Sequence, residues 1–166
     1  MSDNIVFWSG GQDSTLVAVQ LLRAGKYVKL ISFDNSIIGG VSQQNLEKLK
    51  RKQCLHKMTS EFGNKFDHQT FTWDGNICIT IQSRIWASLF PLMCKDKDIV
   101  YFGAIREDTF WHYAHEFKEL FNMTCKFDDK KVELSFPLEW YTKKKVIKEL
   151  KRFGYLDFSI HSGDKL

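Results

Sequence analysis

The sequence predicts an α/β domain: a mostly parallel sheet with helices on both faces. Three observations carry this. Short apolar runs (IVFW at 5–8, VKLISF at 28–33, IVYF at 99–102) alternate with longer stretches of helical period, as in βαβ units. The first run leads straight into SGGQDS at 9–14, a strand–glycine–helix junction. The 166 residues are 43% hydrophobic and 27% charged, with two prolines and no repeat or low-complexity tract, which suits one domain over 1–166.

Ile5–Trp8 reads as a short buried strand. Ser14–Ala24 follows as a helix, with Leu16, Val17, Val19, Leu21 and Leu22 on a wide apolar stripe and Gly25 as its C-terminal cap. Val28–Phe33 is the second strand. Ser42 can cap a longer helix whose buried face runs through Leu46, Leu49, Met58 and Phe62, ended by Gly63-Asn64. Phe66–Trp73 is the third strand, less regular in pattern. A helix from Ile77 to Cys94 is strongly apolar at Ile85, Trp86, Leu89 and Phe90. Ile99–Phe102 is the next strand, ending at Gly103. The polar, aromatic REDTFWHYAHEF (106–117) leads into a helix ending near Asn122. Val132–Phe136 is a short strand closed by Pro137, and Thr142 caps a last helix through Phe153, stopped by Gly154.

In open parallel sheets ligands bind beyond the carboxyl ends of the strands. The loops after Trp8, Phe33 and Gly103 are therefore the places for chemistry. At the first of them, backbone N–H groups point outward and the helix dipole adds partial positive charge, so a phosphate is favoured. Gly10 and Gly11 allow close backbone approach, Ser9 and Ser14 add hydroxyls, and Asp13 can hold a metal or cap the helix. No GK[ST] follows, which excludes the P-loop of kinases and GTPases. A tight glycine turn with a capping Asp uses the same letters, but the complete SGGxDS between strand and helix favours the phosphate site.

The net charge of +4 is mild, and much of it sits in KKKVIKELKR (143–152), which reads as a solvated helix face rather than a nucleic-acid surface. No stretch approaches the length of a membrane span, and the acidic MSDN start does not resemble a signal peptide, so a cytoplasmic protein is expected. Cys54, Cys78, Cys94 and Cys125 form no CxxC pair and read as reduced, buried thiols. His112 and His115 would share a helix face, either as an exposed helix start or against a substrate. A zinc site of His112, His115 and Glu116 is disfavoured because the third ligand adjoins the second.

SGGQDST resembles the PP-loop of the ATP pyrophosphatase superfamily, and the whole chain, at low identity but in collinear order, resembles the 7-cyano-7-deazaguanine synthase family. SFDNS (32–36), Gln82-Ser83-Arg84, YFGAIREDTF (101–110) and FPLEWYTKKKVIKEL (136–150) are similar to that family's later segments. The resemblance implies an adenine nucleotide alpha hydrolase-like, Rossmann-like fold that uses ATP and Mg2+ to adenylate a small carboxylate. For this family the carboxylate is 7-carboxy-7-deazaguanine; ammonia then gives an amide, which is activated again and dehydrated to the nitrile. Carried over by position, Ser9, Gly10, Gly11, Gln12, Asp13 and Ser14 would hold pyrophosphate, with Asp13 on the metal. Phe33 and Gly103 would bracket adenine and ribose. Arg84 and Lys143 would neutralise phosphate or carboxylate charge. Glu107, Asp108, His112 and Tyr113 would line the substrate side.

The chain departs from that family's pattern in several places. Ser36-Ile37, then Gly39-Gly40, replace a Gly-Gln, and Ile85 replaces an Asn. The substrate loop is shorter, with His112-Tyr113-Ala114-His115 in place of Tyr-Pro-Asp-Cys. The family's C-terminal four-cysteine zinc site is missing, with Ser162 near its first position, so no structural zinc is expected. No nucleic-acid or membrane partner is expected, and a homodimer is left open. The rival readings are a PP-loop amidoligase or thiolase on another substrate, and a nucleotide-binding sensor or assembly subunit without turnover.

Overall fold

The computed structural model describes residues 3–35, 41–73 and 82–160, with side chains at all of these except 35, 41–45, 73 and 82–85. Its frame is a five-stranded sheet in the order β3-β2-β1-β4-β5, parallel at every pairing. The strands are β1 (Asn4–Phe7), β2 (Val28–Asn35), β3 (Phe66–Trp73), β4 (Ile99–Phe102) and β5 (Glu133–Ser135). The helices are α1 (Gln12–Arg23), α2 (Val41–Phe62), α3 (Gln82–Met93), α4 (Ala114–Phe127) and α5 (Lys143–Phe153).

Alternation along β1 sorts the helices into two layers. Val6 and Trp8 face a core shared with α1, α2 and α5, through residues such as Leu16, Val17, Met58, Val146 and Leu150. Ile5 and Phe7 face the other core, shared with α3 and α4 through Ala87, Phe90, Phe117, Phe121 and Cys125. In the β1–β4 and β1–β2 registers Phe7 lies opposite Phe102 on one side and Ile31 on the other. Chain order runs outward from β1 through β2 and β3, then returns to β4 on β1's other side. The reversal lies between β1 and β4, where a crevice opens at the strand ends.

Several boundaries differ from those the sequence predicts. Helix α1 begins at Gln12, because Gly11, with extended backbone (φ −67°, ψ 163°), is its N-cap. Helix α4 continues to Phe127, since the Phe117–Phe121–Cys125 spacing keeps one face buried beyond Asn122. Leu49 is 52% exposed, not buried. On α2 the buried line runs through Cys54 and Met58, and at about 100° per residue Leu49 falls roughly half a turn away from Met58. The expected helix start at Ile77 and the Ser42 cap side chain lie outside the described residues, as do Ser36-Ile37, Gly39-Gly40, Cys78 and Ser162. Thr142 caps α5 as expected, accepting from Lys145 N at 3.2 Å, and Gly154 ends it. Cys54, Cys94 and Cys125 are free and buried.

Candidate functional site

A small cleft opens at the β1–β4 crevice, lined by Phe7, Ser9, Gly11, Asp13, Ser14, Trp86, Phe102 and Gly103. The first strand and the first turn of α1 supply most of its wall, and β4 supplies the opposite lip. Among the described residues no side chain caps α1, so its leading amides and the positive end of its dipole face this space.

The glycine turn is held by its own hydroxyls. Ser9 Oγ accepts from Gly11 N at 3.1 Å and lies 3.2 Å from Ser14 Oγ, which donates to Gly11 O at 3.3 Å. Gly10 adopts a φ of +82°, a left-handed conformation that disfavours a side chain. The C-terminal segment braces the turn from outside, with Ile160 N donating to Gly10 O at 2.9 Å. Beneath it, Trp8 Nε1 donates to the buried Thr15 Oγ1 at 3.0 Å. Across the crevice, β4 ends so close to α1 that a Cβ on Gly103 would lie 2.7 Å from Ser14 N. Glycine at this position is what permits the narrow cleft.

Charge gathers at the lip. Lys143 Nζ donates to Asp13 Oδ2 at 2.7 Å, with 32% and 18% of the two side chains exposed. Asp13 Oδ1 is buried and has no hydrogen-bond partner among the described residues, and the same holds for Gln12 Oε1. Glu107 Oε2 accepts from Lys143 N at 3.1 Å, and Asp108 Oδ2 accepts from Ile105 N at 3.0 Å. Burial raises the Asp108 carboxyl above the usual range, and the nearby Asp13 and Glu107 charges add to this, against the Ile105 amide and Lys143.

Ser9, Gly11, Asp13, Ser14 and Gly103 thus converge on one cleft, and Lys143 reaches it through Asp13. Gln12 is buried beside it and Gly10 forms the turn behind it. Phe33 packs into the α3–α4 core rather than into the cleft lining. Glu107 and Asp108 brace the β4 and α5 loops through backbone amides. His112 is exposed on a short 3-10 turn, and Tyr113 beside it is 64% exposed, both outside the cleft lining. His115 Nε2 lies 3.3 Å from Glu119 on the outer face of α4. Arg84 falls in the first turn of α3, and its side chain, with those of Gln82, Ser83 and Ile85, lies outside the described residues. Among the described residues no cluster of three or more His, Cys, Asp or Glu side chains is arranged to hold a metal ion.

Two contributors carry no local signal. Trp86 reads in sequence as one more apolar residue of a core helix, yet it lines the cleft beside Phe7 and Phe102. Arg51 reads as one of many basic residues on α2, yet its stem covers Gly10 and its guanidinium pairs with Asp34 at the end of β2.

No family model matches the chain, and no curated protein matches it in sequence. Solved structures do match. The chain is similar over 89% of its length to a predicted subunit of tRNA methyltransferase from Methanocaldococcus jannaschii, at 19% identity and a TM-score of 0.56, covering 73% of that chain. Over 96% of its length it is similar to a 4-thiouridine synthetase solved in complex with RNA and bound ATP, at 13% identity and a TM-score of 0.65. The chain spans 42% of that synthetase's length. At these identities the likeness establishes the fold: an α/β, Rossmann-like domain built on the five-stranded parallel sheet described above.

Proposed function

We propose that the chain binds ATP on the Ser9–Ser14 turn and transfers its adenylyl group to a small carboxylate. The observation that carries this reading is the uncapped start of α1 at the sheet's switch point, with the Lys143–Asp13 pair at its lip. The bound ATP named for the 4-thiouridine synthetase of the same fold supports the nucleotide.

In this reading the first-turn amides of α1 and the Ser9 and Ser14 hydroxyls hold the β- and γ-phosphates. The α-phosphorus is left toward the Phe102–Gly103 lip. An acceptor oxygen forms the new bond to that phosphorus, the bond to the bridging oxygen breaks, and pyrophosphate leaves with the electron pair. Fixing the leaving group and neutralising its charge lowers the barrier most. Lys143 would do so if Asp13 held a metal instead of its present ion pair. Asp13 fits such a role, since its Oδ1 is buried without a partner among the described residues and Mg2+ commonly takes one carboxylate plus phosphate oxygens. Bound there, Mg2+ would spread the charge of the departing pyrophosphate. Arg84, at the start of α3, is the second cation assigned to the acceptor or phosphate.

The acceptor favoured by the sequence resemblance is 7-carboxy-7-deazaguanine. Ammonia attacks the acyl adenylate and AMP leaves to give the amide. A second ATP then adenylates the amide oxygen, which departs with AMP to leave the nitrile. A second reading, ATP binding without turnover, draws on the substrate side. Glu107 and Asp108 are engaged with backbone amides, and His112 and Tyr113 stand outside the cleft. Incubation with ATP, Mg2+, ammonia and 7-carboxy-7-deazaguanine separates these readings. Pyrophosphate, AMP and a nitrile are expected. AMP with other acids only would leave an adenylating enzyme of different specificity, such as another amidoligase. ATP binding with no pyrophosphate from any acid would establish the reading without turnover.

A further inference from the structure

Gly10 is covered by a side chain from α2, which packs in the same layer as α1. A Cβ on Gly10 would fall 2.4 Å from Arg51 Cγ and 3.1 Å from its Cδ, so the aliphatic stem of Arg51 lies directly across the turn. The guanidinium continues to Asp34 Oδ1 at the end of β2, with 11% of the Arg51 side chain and 19% of the Asp34 side chain exposed. Among the described residues only one guanidinium nitrogen is engaged, although the group carries five donors. A cation this sheltered, whose stem crosses the glycine turn, is not explained by the adenylation steps above.

The turn does not depend on this pair for its shape. Ile160 N holds Gly10 O, Ser9 Oγ holds Gly11 N, and Ser14 Oγ holds Gly11 O. Nor does the neighbouring imidazole supply the charge. Burial first, and then Arg51 itself, push His68 below the usual histidine range, against the pull of Asp67 and Asp34. Arg51 is therefore the standing positive charge at the Gly10 end of the turn, as Lys143 is at the Asp13 end. Among the described residues each rests against a single carboxylate.

We propose that Arg51 is a second phosphate-binding residue, and that its pairing with Asp34 is the resting state of a clamp on the nucleotide's terminal phosphates. The inference rests on the reading that ATP occupies the Ser9–Ser14 turn. A terminal phosphate offers several charged oxygens in the geometry a guanidinium fork matches, whereas Asp34 engages one nitrogen. The clamp acts on the β- and γ-phosphates, so it distinguishes ATP from AMP.

Binding of ATP and of AMP is measured by calorimetry for the wild type, Arg51→Ala, Arg51→Lys and Asp34→Asn, with thermal melting of each free protein. Arg51→Ala is expected to weaken ATP about tenfold or more while changing AMP little. Arg51→Lys, whose stem still covers Gly10, is expected to fall between and serves if the alanine variant does not fold. Asp34→Asn releases the guanidinium and is expected to tighten ATP. A purely structural ion pair would give the opposite pattern, with the Arg51 and Asp34 variants losing ATP and AMP together, in step with their melting temperatures. Wild-type binding of ATP with Arg51→Ala and Arg51→Lys unchanged overturns the clamp alone. No ATP binding by the wild type overturns the nucleotide reading and the clamp with it.

Discussion

Lys143 Nζ and Asp13 Oδ2 meet at 2.7 Å, joining the first turn of the last helix to the first turn of the first. The contact sets a cation at the mouth of the cleft and leaves the other carboxylate oxygen buried and unpartnered among the described residues. Because both side chains are partly exposed (32% and 18%), the pair contributes about 1 kcal/mol or less to folding. Lys143→Ala and Asp13→Ala are therefore expected to fold and melt close to wild type. Pyrophosphate release is expected to drop about a hundredfold or more in each. Undiminished release from either variant would remove that residue from the proposed chemistry.

Gly103 and Gly11 should respond unequally to the same methyl group. At Gly103 a Cβ would lie 2.7 Å from Ser14 N and 2.8 Å from Asp13 C, all fixed backbone of α1. At Gly11 the nearest atom is Ser9 Oγ at 3.1 Å, and a φ of −67° suits any residue. Gly103→Ala is expected to lose about 1–3 kcal/mol and to impair ATP binding, since β4 and α1 must separate. Gly11→Ala is expected to lose well under half of that. Urea titrations of the two variants, read beside ATP affinity, check the order. Equal losses would mean that the crevice is not set by the β4–α1 approach.

What could be seen in the sequence was local. SGGQDS announces its turn because the strand before it, the glycines within it and the helix after it are adjacent in the chain. The alternating pattern gave the parallel sheet, and Thr142 and Gly154 marked the ends of α5. The positions of Arg51 and Trp86 at the site depend on where α2 and α3 pack, and no nearby residues encode that. Glu107 and Asp108 are conspicuous as letters, but their use as braces for the Lys143 and Ile105 amides arises only when the β4 and α5 loops meet. Leu49 was misplaced because a long basic helix with few apolar residues carries a weak phase.

Trp8 and Thr15 tie the last residue before the turn to the helix beyond it. Trp8 is 1% exposed and Thr15 fully buried, with Trp8 Nε1 donating to Thr15 Oγ1 at 3.0 Å. Thr15→Val keeps the volume but strands a buried indole N–H, at a cost of about 1–3 kcal/mol. Trp8→Phe with Thr15→Val removes both partners, and the double variant is expected to lose less than the two single losses added. Urea midpoints of the three variants give this coupling. Additive losses would show that the bond contributes nothing of its own.

The buried thiols make stability fall in alkali. Burial pushes Cys54 up from 9.0 to about 12, against a hydrogen bond from Thr15 and the Lys57 charge. Burial likewise pushes Cys94 up to about 12, helped by Asp98 and Cys125. Burial and the Glu61 contact also raise Tyr155. In each case the folded chain keeps a proton that the unfolded chain releases. Their contribution is therefore complete below about pH 9 and is lost as pH climbs toward 12, at up to about 1.4 kcal/mol per pH unit for each group. The urea midpoint is expected to be flat from pH 7 to 8.5 and to fall steeply by pH 10.5. Cys54→Ala lowers the midpoint at neutral pH through the small cavity it leaves, but it is expected to make the alkaline fall shallower. A slope unchanged by that substitution would mean that Cys54 titrates as freely in the folded protein as in the unfolded chain.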